Sequence, residues 1–248
     1  MIGELMTCTV RNQPEKLITK PLKETPMGST AVKATRSTFD PAVPAKNNHN
    51  ALRGPRKLGP LTPLVGAWEG DVGVDLSYHN KDDETGETGY FERAWFKPIP
   101  IVENGHQTME GLHYAMTAWR HGEEAMDPFH DETGYLLWDK GNRQVIRCFA
   151  VPRGLAILAG GDAGPRDRSL TFTAKPGSDS YGLCQNRYLL ERAKATAFES
   201  TFVFNDDGTF NYTSELVLRL AATGEQMHHT DRNTLHRVKR FHPSTQIA

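Results

Sequence analysis

The chain has 248 residues, with 29 Lys/Arg against 30 Asp/Glu. A net charge of −1 gives it no general attraction to nucleic acid or to an acidic membrane, and the composition excludes collagen, a coiled coil and a fully disordered chain. No apolar run reaches the roughly 18 residues of a membrane span, and the opening MIGELMTCTVRNQPEK lacks the basic start and apolar core of a signal peptide. The expectation is a cytoplasmic protein.

Residues 1–57 carry ten Lys/Arg, four Asp/Glu, six prolines and one aromatic residue, Phe39. Low hydrophobicity with many prolines predicts a flexible basic arm, whose options are a polyanion, the acidic body, or no defined partner at all. From Leu58 the texture changes: all four tryptophans and ten of the eleven phenylalanines lie beyond it. One folded domain is expected over 58–240, with a short tail at 241–248. Cys8, Cys148 and Cys184 form no CxxC and are odd in number, which argues against a disulfide framework or a structural zinc site and for inert thiols, two in the core and one in the arm.

Ten β-rich runs follow, separated by turn signals: Val65–Ser77, Gly89–Ile99, His106–His121, Glu132–Asp139, Arg143–Val151, Leu155–Ala159, Ser169–Ala174, Ala195–Phe204, Thr209–Ala221 and Gln226–Val238. Many short strands with glycine-bearing turns predict an all-β barrel or sandwich. One short helical piece is expected near Tyr188–Lys194. The hairpin around Asn205-Asp206-Asp207-Gly208 can be taken to its register. A three-residue loop with Gly208 in the left-handed position pairs Phe204 with Phe210, Phe202 with Tyr212 and Phe198 with Leu216. A two-residue loop would set those aromatics against Asn211 and Thr213, so the pattern selects the longer loop.

Three places carry candidate chemistry. Gly66, Trp68 and Gly70 lie on the first strand, where glycine permits a bulge, a bend or the close approach of a ligand. His130 sits beside Asp131 and Glu132, as a base of raised pKa, a metal ligand, or a hydrogen-bonded turn residue. The last strand is polar on both parities, with His229 and Asp231 on one and His228, Thr230 and Arg232 on the other. It is therefore a wet edge or the wall of a polar site inside a barrel. A single histidine on such a wall can supply an axial bond to haem iron. Adjacent histidines point to opposite faces and cannot share one metal. There is no GxSxG, HExxH, P-loop or dinucleotide GxGxxG.

Four segments in this order resemble the nitrobindin family, also described as fatty-acid-binding-protein-like or THAP4-like haem-binding β-barrels. They are Pro63-Leu64-Val65-Gly66-Ala67-Trp68-Glu69-Gly70, similar to the family's GxWxGxG opening; Pro128-Phe129-His130-Asp131-Glu132-Thr133-Gly134-Tyr135; Val151-Pro152-Arg153-Gly154 through Gly161; and His228 to Val238. The resemblance implies a ten-stranded antiparallel barrel. It also implies ferric haem b held by one histidine, with nitric oxide or peroxynitrite chemistry, including peroxynitrite isomerase activity. Two departures matter. Val72 replaces the final glycine of the opening pattern and Gly73 comes one residue late, which implies a shifted bulge. In the closing strand the family's histidine position falls on Thr230, with His229 one residue early, so a regular strand is expected to turn His229 to the other face unless a bulge restores it.

The expected partner is a small molecule in the barrel cavity, with His229 as the axial metal ligand and His228 as the weaker choice. Thr230, Arg232, His130, Gly66, Trp68 and Gly70 complete the expected binding set. The rival expectation is a non-haem carrier or sensor of a hydrophobic molecule with a polar head group. Trp68, Trp119 and Phe129 would then be apolar walls, and Arg232 or His229 would hold the head. A homodimer is allowed by the sequence, not required.

Overall fold

The computed structural model describes residues 58–79, 84–104, 106–124 and 127–239. The expectations about the basic arm, the tail and Cys8 lie outside these residues. A 3-10 helix, Gly59–Leu64, leads into twelve strands and one helix. The strands are β1 (Gly66–His79), β2 (Glu84–Pro98), β3 (Val102–Asn104), β4 (Gln107–Arg120), β5 (His130–Asp139) and β6 (Gln144–Val151). They continue with β7 (Leu155–Asp162), β8 (Ser169–Ala174), β9 (Leu183–Gln185), β10 (Ala193–Phe204), β11 (Phe210–Leu220) and β12 (Gln226–Val238). The helix α1 (Arg187–Arg192) precedes β10, capped by Asn186, whose side chain accepts from the Leu189 N–H.

Ten strands close an antiparallel barrel in the order β2-β1-β12-β11-β10-β8-β7-β6-β5-β4, and β2 pairs with β4 to complete the ring. β3 and β9 are short side pairings on β4 and β7. Three residues are too few to show a period of two, which is why neither was visible as a sequence run. Closure removes exposed sheet edges, although β7 meets β8 through a single residue pair, Gly160 with Thr173.

The β10–β11 hairpin has the register that its aromatic pattern dictates. Phe204 faces Phe210, Phe202 faces Tyr212 and Phe198 faces Leu216. Gly208 has φ +84°, and the Asn205 N–H donates to the Thr209 carbonyl at 3.0 Å across the turn.

β1 holds one residue more than either neighbour. Gly70 pairs with Glu92 but Gly73 with Tyr90, and Glu69 pairs with His236 but Val74 with Arg232. Both strands count one residue fewer over the same stretch, so the bulge belongs to β1. Gly73 permits it, since a Cβ there would lie 2.4 Å from the Tyr90 ring. The bulge switches which parity of β1 faces inward. Trp68 and Gly70 are buried before it, and Gly73 and Asp75 after it, while Val72 is left 60 % exposed.

The core occupies one end of the barrel. Leu61 and Leu64 of the 3-10 helix are fully buried there with Phe96, Tyr114, Phe172 and Phe210. Trp68 donates from Nε1 to the Leu64 carbonyl at 2.7 Å and stands edge-on to Phe210 at 4.9 Å. This end is plugged by close-packed side chains.

The cysteine expectation needs correction. Cys184 is exposed and Cys148 is half-buried, so neither is a core thiol. No helix among the described residues is long and apolar enough to cross a membrane.

Candidate functional site

The other end of the barrel encloses a cavity of about 660 Å³. It lies between the last residues of β1 and β4, the first residues of β5, β10 and β12, and α1. Its walls differ in chemistry. Phe149, Ile157, Phe198, Leu216 and Leu218 form an apolar side from β6, β7, β10 and β11. Asp75, Glu92, His130, Glu132, His229 and Asp231 form a polar side from β1, β2, β5 and β12. Arg120, Arg153 and Arg192 stand at the mouth beside Tyr188.

β12 explains half of the polar wall. It pairs with β11 without interruption from Gln226 to Leu235, so alternate residues share a face. Met227, Asn233 and Leu235 of one parity are buried, and His229 and Asp231, of the same parity, line the cavity. The expectation that His229 needs a bulge in its own strand to reach the interior is therefore corrected. The regular strand already turns it inward, and the bulge is in β1. Thr230 and Arg232 have the opposite parity and do not line the cavity. His228 is on the outside as well, where it donates to Glu215 Oε1 at 2.5 Å. Gly66, Trp68 and Gly70 belong to the plugged end and line no part of the cavity, and Trp119 packs beside Phe91 instead. Of the expected wall residues, Phe129 does border it.

His229 Nε2 donates to Asp75 Oδ1 at 2.6 Å, and the Ser77 hydroxyl donates to Asp75 Oδ2 at 2.6 Å. Burial alone would raise the Asp75 pKa, but the bond and charge of His229 outweigh it and hold the carboxyl below its usual range. For His229 burial pulls downward, and the Asp75 bond more than compensates, so the imidazole lies above its usual value.

A second pair forms the floor. Arg147 is 4 % exposed, and donates from Nη2 to Glu132 Oε1 at 2.5 Å, from Nε to the Tyr114 hydroxyl at 2.9 Å and from Nη1 to the Ser200 hydroxyl at 3.0 Å. Its guanidinium also lies 4.5 Å from the centre of the Phe149 ring. Burial opposes the charge on Glu132, yet Arg147 and His130 bring its pKa down to about 2. His130 Nε2 is 3.6 Å from Glu132 Oε2. The His130 side chain is 40 % accessible and lines the cavity, so its ring is open to a ligand there. Burial lowers its pKa and the Glu132 bond and charge reverse that, for a net rise.

Glu92 has no such cation. It is 2 % exposed, and its Oε2 accepts from the Tyr212 hydroxyl at 2.9 Å and from Asn233 Nδ2 at 3.0 Å. The Tyr90 hydroxyl is 2.7 Å from that of Tyr212. Burial pushes the Glu92 pKa up to about 8, against the pull of these neutral donors. Asp231, also burdened by burial and relieved by His229 and His130, is raised to about 6.

Sequence reasoning missed Asp75, Glu92 and Arg147 as site residues, while Asp231 was placed on the His229 face of the closing strand. The signal was a charged residue inside an apolar parity: Glu92 shares its face with Tyr90, Ala94 and Phe96, and Arg147 with Val145 and Phe149. No three of the described His, Cys, Asp and Glu side chains are grouped to hold a bare metal ion.

Residues 57–237 match a family model described as the THAP4-like, heme-binding beta-barrel domain. Among solved structures the chain is similar to Rv2717c from M. tuberculosis, with a TM-score of 0.51 and 19 % identity, covering 75 % of this chain and 99 % of that one. At that identity the likeness is one of fold. No curated protein matches the chain.

Proposed function

The chain belongs to the family of THAP4-like, heme-binding β-barrel domains, and from this we propose that its cavity binds a small ligand, with haem b the first candidate. The observation that supports haem is His229, an imidazole on the cavity wall whose Nε2 is bonded to a carboxylate. Metal-bound histidines are commonly oriented by a carboxylate on the second ring nitrogen, which also raises their basicity. The donor set fits the group in kind. His229 would hold the iron, Asp75 would fix the imidazole, Phe149, Phe198 and Leu216 would face the ring, and Arg120, Arg153 and Arg192 would neutralise carboxylates at the mouth. Ferric haem, when bound, would supply the nitric oxide or peroxynitrite chemistry that the family resemblance implies. The chain's part is to orient the imidazole through Asp75 and to exclude water.

The test is a titration of the purified protein with hemin. A sharp Soret band is expected, lost in His229→Ala and kept in His228→Ala. A band indifferent to His229→Ala would overturn the assignment.

A second reading is a carrier or sensor of a non-haem, hydrophobic molecule with a polar head group. The His229–Asp75 pair favours it, because a protonated imidazole has no lone pair to offer iron. The two-faced lining suits such a molecule directly. A colourless protein that releases an organic compound on denaturation would support this reading, and a retained Soret band would count against it.

A further inference from the structure

The polar wall is not electrically complete. Four carboxyl groups line the cavity, Asp75, Glu92, Glu132 and Asp231. The cationic groups available to them on the wall and floor are His229, His130 and Arg147; His79, the last residue of β1, also lines the cavity and makes no ion pair with any of the four. Asp75 takes His229, and Glu132 takes both Arg147 and His130. Glu92 and Asp231 are left without an ion pair among the described residues. The arginines at the mouth are no substitute: Arg120 is half-exposed and pairs with Glu123, and solvent at the opening screens such charges.

Glu92 is the more telling of the two. Its Oε2 is satisfied twice, by Tyr212 and Asn233. No hydrogen bond reaches Oε1, yet that atom is absent from the fully buried atoms that lack partners, a set reduced to Glu110 Oε2 among the described residues. Glu92 Oε1 therefore borders open space, and the open space it borders is the cavity. A carboxyl group that is 2 % exposed, fixed through one oxygen and free at the other, is a group prepared for a partner. The Asp231 carboxyl makes no hydrogen bond with any described residue and lines the same cavity on β12, across β1 from β2. The apolar wall of Phe149, Ile157, Phe198, Leu216 and Leu218 provides for a hydrocarbon or aromatic body.

We propose that this wall is a head-group site for an amine: a primary ammonium on an apolar body, held by Glu92 Oε1 and by Asp231. An ammonium offers three N–H donors and one positive charge, and it supplies the cation that these two carboxyls lack. The inference rests on the second reading of function and gives it a ligand class. It also has a proton consequence. Glu92 is pushed up to about 8 in the empty cavity, so near neutral pH an arriving ammonium displaces a proton from it, and the site releases that proton to buffer.

The experiment uses the full chain and a neutral, polarity-sensitive dye such as Nile red as the reporter of the cavity. Dodecylamine, dodecanol and dodecanoic acid are titrated against it near neutral pH, below their aggregation limits. The amine is expected to displace the dye about tenfold more tightly than the other two, as a charge-assisted contact predicts. In Glu92→Gln the amine's advantage is expected to fall about tenfold while dodecanol is unchanged. Gln keeps an oxygen for Tyr212 and Asn233, so the variant retains its internal bonds. Asp231→Asn is the second variant, expected to act in the same direction. Calorimetry in two buffers of different ionisation enthalpy should show proton release with the amine, abolished in Glu92→Gln. If the acid binds best, or if Glu92→Gln leaves the amine's advantage intact, the amine assignment falls and the carrier reading stands. If none of the three displaces the dye, the carrier reading itself falls, and the amine site with it.

Discussion

Asp75 and His229 stand 154 positions apart in the chain and 2.6 Å apart in the barrel. They meet because a bulge in β1 absorbs the one residue by which that strand exceeds its neighbours. Without the bulge, the parity that buries Trp68 would continue and Asp75 would face solvent.

That relationship is open to a deletion. Removing Val72, which is 60 % exposed, restores an unbroken GxWxGxG spacing and takes out the bulge together with its extra residue, so Gly73 stays opposite Tyr90 and Asp75 keeps its inward face. The expected outcome is a folded barrel in which the His229 pKa stays above its ordinary value. Asp75→Asn, which removes the partner itself, should let that pKa drop. Histidine NMR titration reads both. The sign of the pH effect follows. The His229 contribution to stability is present below its unfolded pKa and lost as pH rises through the raised folded value. The Asp75 contribution is present above its unfolded pKa and lost as pH falls through the depressed one. An unchanged His229 titration in Asp75→Asn, or a lowered one in the deletion, would sink this account.

Glu132→Gln leaves the buried Arg147 guanidinium without its charge partner. A loss of about 3–5 kcal/mol is expected in urea unfolding near neutral pH. With a folded pKa of about 2 against an ordinary 4.5, the stabilising effect of Glu132 is present above the ordinary value and disappears as pH falls towards the folded one. The variant and the parent should therefore converge in acid. A constant difference across that range would contradict the pairing.

Glu92 behaves in the opposite sense. Its folded pKa of about 8 exceeds the ordinary 4.5, so stability is complete below the ordinary value and is lost as pH rises through the folded one. Glu92→Gln cannot ionise. It should match the parent in mild acid and exceed it in alkali by an amount on the order of a few kcal/mol. Thermal melts at the two extremes check this, and equal melting temperatures in alkali would refute it.

Gly208 closes the β10–β11 hairpin at φ +84°. No atom lies within 4 Å of a Cβ placed there, so Gly208→Ala should cost only the left-handed backbone penalty, about 1 kcal/mol. Equilibrium unfolding measures it, and a cost several times larger would mean that the loop is held by more than its turn geometry.

Most of the barrel was legible because alternation is a local signal. The Phe198, Phe202 and Phe204 set admitted only one register against Phe210 and Tyr212, and the short helix before β10 declared itself within seven residues. The site was much less legible. Asp75, Glu92 and Arg147 come from β1, β2 and β6, far from the closing strand in sequence, and each looks like an ordinary surface charge until its parity is known. Trp68, with its flanking glycines, drew attention as a ligand contact because it is large and unusual, yet those features serve the packed end. The mixed polarity of β12 was visible, but which of its faces turned inward depended on partners that the strand itself does not name.

The plug formed by Leu61, Leu64 and Trp68 gives the barrel a single doorway. A molecule inside must leave by the route it entered, head last, past Tyr188 and the arginines of the rim. Residence time and affinity can then be tuned separately. Changes on α1 would alter how fast the contents exchange, on and off alike, while the depth of the well is set at the polar wall behind it.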